Sequence, residues 1–182
     1  MTLGHLDLVP ALDHPELLAD PVASFLRTLP ASLAESVEVA AIDPDLADTA
    51  AFCERYDVDL DVSANCVIVA GRRGETTRHA ACMILATTRA DVNGVVRQLL
   101  DARKASFAPM DDAVSLSGME YGGITPLGLP ADWPILVDSR IVSLPSIVVG
   151  SGLRRSKIVM PGSVLAALPG AQVIEDLARA AS

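Results

Sequence analysis

Apolar and polar positions alternate in the first third of the chain in a way that predicts helices and strands in turn. Apolar residues at helical spacing follow Pro21 and predict a helix over residues 21–29. The weakly alternating segment 36–42 predicts a strand. A helix is then predicted from Asp43, as its N-cap, to about Tyr56.

The middle of the chain predicts a hairpin followed by two helices. The runs 65–70 and 76–86 are rich in strand-forming residues and flank the turn Gly71-Arg72-Arg73-Gly74. Beyond them, the pattern predicts helices over residues 92–102, capped by Asp91, and 110–117.

Short, wholly apolar runs in the last third predict buried strands over residues 134–138 and 146–150. The remaining predicted elements are a strand over 156–160, a helix over 162–168 and a C-terminal helix from about Ile174. Since hairpins and helical crossovers both occur, we expect one α/β domain with a mixed sheet over residues 21–182. Residues 1–20, with two prolines and several acids, are predicted to form a partly ordered N-terminal arm.

The composition of the chain limits the class of protein and the compartment in which we expect it. At 182 residues, with 51% apolar and only 3% aromatic residues, the chain can bury a large aliphatic core. Its longest apolar runs, such as 80–86, are too short to span a membrane, and we see no signal peptide at the N-terminus. The three cysteines (Cys53, Cys66 and Cys82) have no CxxC spacing, which predicts free thiols in a reducing cytoplasm.

A formal net charge of −9 opposes a general nucleic-acid-binding protein, so DNA is not an expected partner. The basic residues fall in small groups that are typical of solvated turns unless they converge in space. These groups are Arg72-Arg73, Arg78, Arg103-Lys104 and Arg154-Arg155-Lys157.

The segment 118–130 contains four glycines, two prolines, one carboxylate and no basic residue. Glycine lets a ligand approach the main chain closely and proline stiffens the bend. The segment therefore predicts either a rigid loop that presents backbone N–H groups to a ligand or a tight structural turn.

The chain has no conventional nucleophile or metal site. Its three histidines are scattered, no phosphate-binding GxxxxGK[ST] motif occurs, and we expect neither a metal nor a cofactor. Ser151 lacks a GxSxG context and an evident histidine partner, which favours a turn serine. Asp138, at the end of an apolar strand, either braces neighbouring N–H groups or contacts substrate, and bracing is favoured. Chemistry by positioning, backbone donors and an activated water or substrate hydroxyl is therefore favoured.

The order of these motifs over residues 20–175 resembles the YbaK family, which is related to the editing domain of bacterial prolyl-tRNA synthetase. The resemblance rests on the strand with Asn65, the hairpin, the helix 92–102, Lys104-Ala105-Ser106-Phe107-Ala108, the loop 122–128, the Asp138 strand and Gly150-Ser151-Gly152. It implies a compact α/β domain, a mixed barrel-like β-sheet flanked by helices. It also implies a trans-editing deacylase that hydrolyses the ester of a mischarged tRNA, typically Cys- or Ala-tRNA for proline.

The resemblance also implies where the site lies. Backbone N–H groups near Gly123 would polarise the ester carbonyl, and Asn65 would lie at the position where the family usually has lysine. The other residues implied at the substrate site are Gly122, Ile124, Thr125, Pro126, Asp138, Gly150, Ser151, Gly152 and Arg78. Because Asn65 cannot supply a cation, either Arg78 or another basic residue compensates, the substrate differs, or the activity is lost.

Two hypotheses for function follow from the resemblance. The first is a cytoplasmic deacylase that engages the aminoacyl-tRNA 3′ end transiently, at times delivered by a synthetase, and so protects translation fidelity. The second is a non-catalytic module of the same fold that binds a nucleotide, an aminoacyl group or a synthetase.

Overall fold

A computed structural model describes residues 3–181 as an α/β fold built on three sheets. The strands are β1 (Val9–Pro10), β2 (Glu38–Ala41), β3 (Ala64–Arg73), β4 (Thr76–Leu85), β5 (Thr88–Ala90), β6 (Lys104–Phe107), β7 (Ile135–Asp138), β8 (Ile147–Gly150), β9 (Ser156–Met160), β10 (Ala171–Ile174) and β11 (Ala178–Ala180). The helices are α1 (Asp20–Leu26), α2 (Ala31–Ala34), α3 (Thr49–Tyr56), α4 (Arg97–Leu99), α5 (Met110–Ser117), α6 (Ser139–Val142) and α7 (Gly162–Ala166).

The largest sheet is mixed, as the sequence predicts. Its strand order is β10-β7-β4-β3-β6, with β4, β7 and β10 parallel to one another and β3 antiparallel to both of its neighbours. A second, wholly antiparallel sheet has the order β1-β2-β9-β8, and β11 pairs with β5. One bridge between Ser63 and Val148 joins the start of β3 to β8. In the described part of the chain the strands therefore form adjoining sheets and no closed barrel.

The central hairpin confirms the predicted one. β3 and β4 pair over ten residues, from Ala64 opposite Leu85 to Arg73 opposite Thr76. Gly74 has φ +62° in the turn, a conformation that glycine adopts without strain. The hairpin is longer than predicted because pairing with β6 extends its basic end.

The core lies on both faces of the largest sheet. Alternate residues of β4 enter different clusters: Ala80, Cys82 and Ile84 face the helical segment 92–100, while Met83 and Leu85 pack in the main core with α1. Both sets are buried, which explains why β4 reads as a continuous apolar run.

The predicted C-terminal helix is wrong, because two strands occupy that region. β10 adds to the exposed edge of β7, and β11 pairs with β5. Asp176 lies between them with φ +56°, a left-handed conformation that breaks a helix. Sheet pairing therefore outweighs the local helical pattern.

Three other predicted elements have different limits. The helix predicted from Asp43 divides into a 3-10 turn over Pro44–Leu46, capped by the Asp43 carboxylate, and α3. The predicted helix 92–102 begins as a π-helical turn over Val92–Val96, whose Gly94 and Val95 N–H groups bond to Asp91, and ends at α4. Within the predicted arm, β1 pairs with β2 and residues such as Leu6 and Leu18 are buried against the domain; residues 1 and 2 lie outside the described part.

Candidate active site

A cavity of about 510 Å³ opens where α3, β3, β8 and the loop 118–130 meet. This volume lies within the range that small-molecule sites usually have. Apolar side chains on its wall include Phe52, Val67, Ile124, Val148 and Val149. The polar side chains are Asp48, Thr49, Ser63, Asn65, Cys66, Tyr121, Arg154 and Lys157.

Close backbone packing fixes the loop 118–130 at this cavity. The N–H of Gly152 donates to the carbonyl of Gly123 over 2.7 Å, and the N–H of Glu120 donates to the carbonyl of Gly152 over 2.9 Å. A Cβ at Gly150 would lie 2.4 Å from the Gly123 oxygen, so a larger residue would push the turn and the loop apart. The glycines are therefore required for this junction.

Within the loop, Gly122 and Ile124 line the cavity, whereas Gly123, Thr125 and Pro126 are buried behind it. The N–H of Gly123 donates to the carbonyl of Glu120 over 3.0 Å. It is therefore engaged within the loop and is not available to polarise an ester carbonyl. The buried hydroxyl of Thr125 has no hydrogen-bond partner in the described residues.

Asn65, near the start of β3, lies in the cavity wall and is oriented by α3. The Thr49 hydroxyl donates to the Asn65 side-chain oxygen over 2.9 Å. That bond assigns the amide nitrogen as the free end, and within residues 3–181 no protein acceptor bonds to it. Asn65 therefore offers a ligand two N–H donors.

Cys66 also lines the cavity, and its thiol is partly buried. Burial raises the pKa of the Cys66 thiol far above its usual value, and the neighbouring Cys82 adds to the effect. The reactive form of cysteine is the thiolate, and a raised pKa disfavours it. Asp48 is the one carboxylate among the described lining residues, and within residues 3–181 no cluster of His, Cys, Asp and Glu could hold a metal ion.

Two cations in the cavity were not singled out from the sequence as site residues. Lys157 of β9 is only 8% exposed, its Nζ donates to the Ala47 carbonyl over 3.1 Å, and Nζ lies 5.4 Å from the centre of the Phe52 ring. Burial lowers the pKa of Lys157. Arg154 donates to the carbonyls of Tyr121 and Pro44 at 3.1 Å each and so joins two loops at the rim. The sequence did contain one indication of Lys157 as a site residue, because it is a charged residue within a mainly apolar predicted strand.

The Gly150-Ser151-Gly152 turn contributes to the cavity through Gly150. The Ser151 hydroxyl is buried and lies 2.7 Å from the Ser156 hydroxyl, which itself donates to the Leu17 carbonyl. Ser151 therefore holds the turn together, as the turn-serine interpretation expects.

Asp138 and Arg78 do not reach the cavity. Arg78 lies opposite Gly71, toward the other end of the hairpin, so it does not supply a cation beside Asn65. Asp138 caps α6 and accepts bonds from the Arg140 side chain (2.8 Å) and the Ala178 N–H (3.1 Å). Burial alone would raise the pKa of Asp138, but the bonds from Arg140 and Ala178 hold it below its usual value. Both carboxylate oxygens are occupied, which supports bracing over substrate contact.

Several basic residues do converge, at the opposite end of β3. A shallow groove is lined by the cations Arg72, Arg97, Arg103 and Lys104. None of the four has a carboxylate within salt-bridge distance in the described chain, whereas the neighbouring Arg73 pairs with Asp101. The groove is a local positive surface on an acidic protein.

The family comparison is specific. The sequence model of the aminoacyl-tRNA editing domain matches residues 43–168, more than half of the chain, and this span contains every element that builds the cavity. The chain therefore belongs to the aminoacyl-tRNA editing domain family. The resemblance seen in the sequence is confirmed. A search of the curated proteins gave no match.

Solved structures support the fold. One, described as a candidate trans-editing enzyme for prolyl-tRNA synthetase, is 18% identical, with a TM-score of 0.70 over 86% of this chain and 94% of that one. Another, described as a hypothetical protein, is also 18% identical, with a TM-score of 0.74 over 88% of this chain and 100% of that one. At this identity the likeness establishes the shared α/β fold. No helix in residues 3–181 is long and apolar enough to cross a membrane.

Replacing Asp138 by alanine should destabilise the protein by about 2–4 kcal/mol, because it leaves Arg140 and the Ala178 N–H without their partner. A carboxylate with a lowered pKa stabilises the fold above its unfolded pKa of about 4 and loses that contribution as pH falls through the lower, folded pKa. In urea unfolding, the free energy of unfolding of wild type should therefore exceed that of Asp138→Ala by a smaller amount below about pH 4 than at neutral pH.

The exposed Asp132 provides the matched control, and Asp132→Ala should change stability little at any pH. If the loss in free energy of unfolding caused by Asp138→Ala stays constant from neutral to acid pH, the bracing role is contradicted.

Proposed function

We propose that the protein is a trans-editing aminoacyl-tRNA deacylase that hydrolyses the ester of a mischarged tRNA of the Cys- or Ala-tRNA(Pro) type. The observation that carries the proposal is the cavity at α3, β3 and the loop 118–130, in a chain of the aminoacyl-tRNA editing domain family. We place this activity in the cytoplasm, where the tRNA 3′ end is charged and used, and a prolyl-tRNA synthetase is the natural partner.

The cavity wall suits a small amino acid. Ile124, Val148, Val149 and Phe52 give it an uncharged apolar surface, and Phe52 of α3 packs in one apolar cluster with Val148. A pocket of this kind separates neighbouring aliphatic side chains by only about 1–3 kcal/mol per methylene. Such a margin is sufficient to remove a smaller wrong amino acid if the larger correct one cannot enter.

The reaction requires no nucleophilic side chain. Water attacks the ester carbonyl carbon, the carbonyl oxygen becomes negative, and the bond to the ribose oxygen breaks as the proton given up by water is transferred to that oxygen. Asn65 offers N–H donors to the ester, and α3 begins at the cavity without a side-chain cap from Asp48. The uncapped N-terminus of a helix favours negative charge.

The basic groove favours tRNA as the substrate. From Asn65 at the cavity to Arg72 in the groove is about 23 Å along β3 at the usual strand rise. The groove therefore lies at a distance suited to the phosphates that precede the bound 3′ end. Cations confined to one groove allow transient binding by a protein whose overall charge repels nucleic acid.

The non-catalytic module remains the second candidate, and Asn65 is the feature that favours it. An amide cannot provide the charge that the family's lysine provides at this position. Under this alternative the same cavity would bind the aminoacyl end without hydrolysing it.

The decisive assay measures release of amino acid from Ala-, Cys- and Ser-charged tRNA. We expect turnover above the uncatalysed rate on at least one of them, and a loss of about 10²-fold for Asn65→Ala, because a donor to the developing negative charge is removed. Thr49→Val should also slow turnover because it frees the Asn65 amide to rotate, whereas Thr49→Ser keeps the hydroxyl and serves as the control.

Absence of turnover on all three tRNAs, with binding retained, would establish the non-catalytic alternative instead. Equal rates for Thr49→Val and Thr49→Ser would show that orientation of Asn65 is unimportant.

The groove leads to a separate prediction. The double variant Arg72→Glu/Lys104→Glu should raise KM for aminoacyl-tRNA about tenfold or more and flatten its salt dependence, since phosphate contacts release counterions. Hydrolysis of 3′-aminoacyl-adenosine, which is too small to reach the groove, should be unchanged. Arg27→Glu/Arg89→Glu makes the same change in net charge at exposed positions elsewhere, and an equal KM increase for this control would contradict a groove-specific contact.

A further inference from the structure

Lys157 is an unusual residue for the interior of this protein. It lies on β9 between Gly150 of β8 and Ala40 of β2, and its neighbours Ser156 and Ile158 are fully buried. A buried ammonium is costly unless a carboxylate or several acceptors compensate it. The strand would be more stable with an apolar residue here.

The compensation within residues 3–181 is small. Nζ has one hydrogen bond, to the Ala47 carbonyl, and one contact with the Phe52 ring. No carboxylate lies within salt-bridge distance, since the ion pairs of the described chain involve other residues. An ammonium has three N–H donors, so two remain without a protein acceptor.

The charged groups that act on Lys157 come from neighbouring elements. Burial has the largest effect and lowers the pKa of Lys157, the Arg154 cation acts in the same direction, and the Asp48 carboxylate at the start of α3 opposes them. Asp48, Arg154 and Lys157 all border the same cavity, so the charged residues of the region concentrate at one place.

We propose that Lys157 is a catalytic residue of this cavity, whose Nζ donates a hydrogen bond to the ester carbonyl oxygen of the bound aminoacyl end. This inference rests on the proposed deacylase function and adds to it the source of positive charge. As water attacks the carbonyl carbon, negative charge grows on that oxygen, and the Lys157 ammonium and the Asn65 amide stabilise it. The carbon–oxygen bond to the ribose then breaks, the ribose oxygen takes the proton given up by water, and Lys157 ends in the protonation state in which it began.

In this arrangement the positive charge does not come from β3, where the family usually has a lysine at the position of Asn65. Asn65 on β3 provides neutral donors, and the cation comes from β9, where Lys157 pairs with Gly150 of β8. A charge in a water-poor wall interacts more strongly with a developing oxyanion than one at the rim, where Arg154 lies.

The test compares Lys157→Met and Lys157→Gln with wild type in single-turnover hydrolysis of the charged tRNA that wild type hydrolyses best. Lys157→Met should lose about 10²–10³-fold in rate, which is the usual effect of removing one oxyanion donor. Lys157→Gln keeps N–H donors without the charge, so it should lose less but stay below the wild-type rate. Lys157→Met should be as stable as wild type or more so, because an apolar side chain replaces a poorly compensated buried cation. Lys157→Gln keeps a donor for the Ala47 carbonyl and serves as the second variant should Lys157→Met fold poorly.

Arg155→Met is the matched control, since Arg155 is exposed, lies two residues away and does not line the cavity. It should hydrolyse the ester at close to the wild-type rate. A folded Lys157→Gln or Lys157→Met protein with the wild-type rate would overturn the role of Lys157 and leave the deacylase function standing. A wild-type protein inactive on every charged tRNA would overturn both.

Discussion

The contact between the loop 118–130 and the Gly150-Ser151-Gly152 turn is the constraint on which the rest of the site depends. Gly152 donates to Gly123, Glu120 donates to Gly152, and neither Gly150 nor Gly123 has room for a side chain. Since β8 and β9 flank this turn, the contact ties the loop directly to the antiparallel sheet. The cavity therefore has one wall of closely packed, hydrogen-bonded backbone.

This constraint also sets the chemistry that the cavity can offer. Backbone donors such as the Gly123 N–H hold the loop in place, and polarising groups also come from outside it. They come from three elements that meet there: Asn65 on β3, Lys157 on β9 and the start of α3. A rigid loop defines the space, and side chains on strands provide the donors. Strands are well suited to this task because their side chains are held in place by packing.

Periodicity and turn residues predicted most of the fold, because local patterns there agree with the final pairing. The hairpin, α5 and the apolar strands β7, β8 and β9 all follow from such patterns. The C-terminal region did not, since pairing of β10 with β7 is a contact between distant segments that no local pattern encodes.

The candidate site was also predicted only in part. Asn65, Gly122, Ile124 and Gly150 line the cavity, and the resemblance to the family had implied all four as site residues. Lys157 and Arg154 were read as members of a basic turn, and only the fold shows that one is buried beside Phe52 and the other joins two loops. Asp138 had the pattern of a site residue, yet its oxygens are filled by Arg140 and Ala178, which lies forty residues away in sequence.

The central claim is that this cavity receives the aminoacyl end of tRNA, and a crystal structure with a non-hydrolysable analogue tests it most directly. The analogue is an adenosine whose 3′ oxygen is replaced by nitrogen, so that alanine is attached through an amide. Our account predicts its methyl group against Ile124 and its carbonyl oxygen within hydrogen-bond distance of Lys157 Nζ and the Asn65 amide. An analogue bound elsewhere, or a cavity that stays empty at saturating concentration, would contradict it.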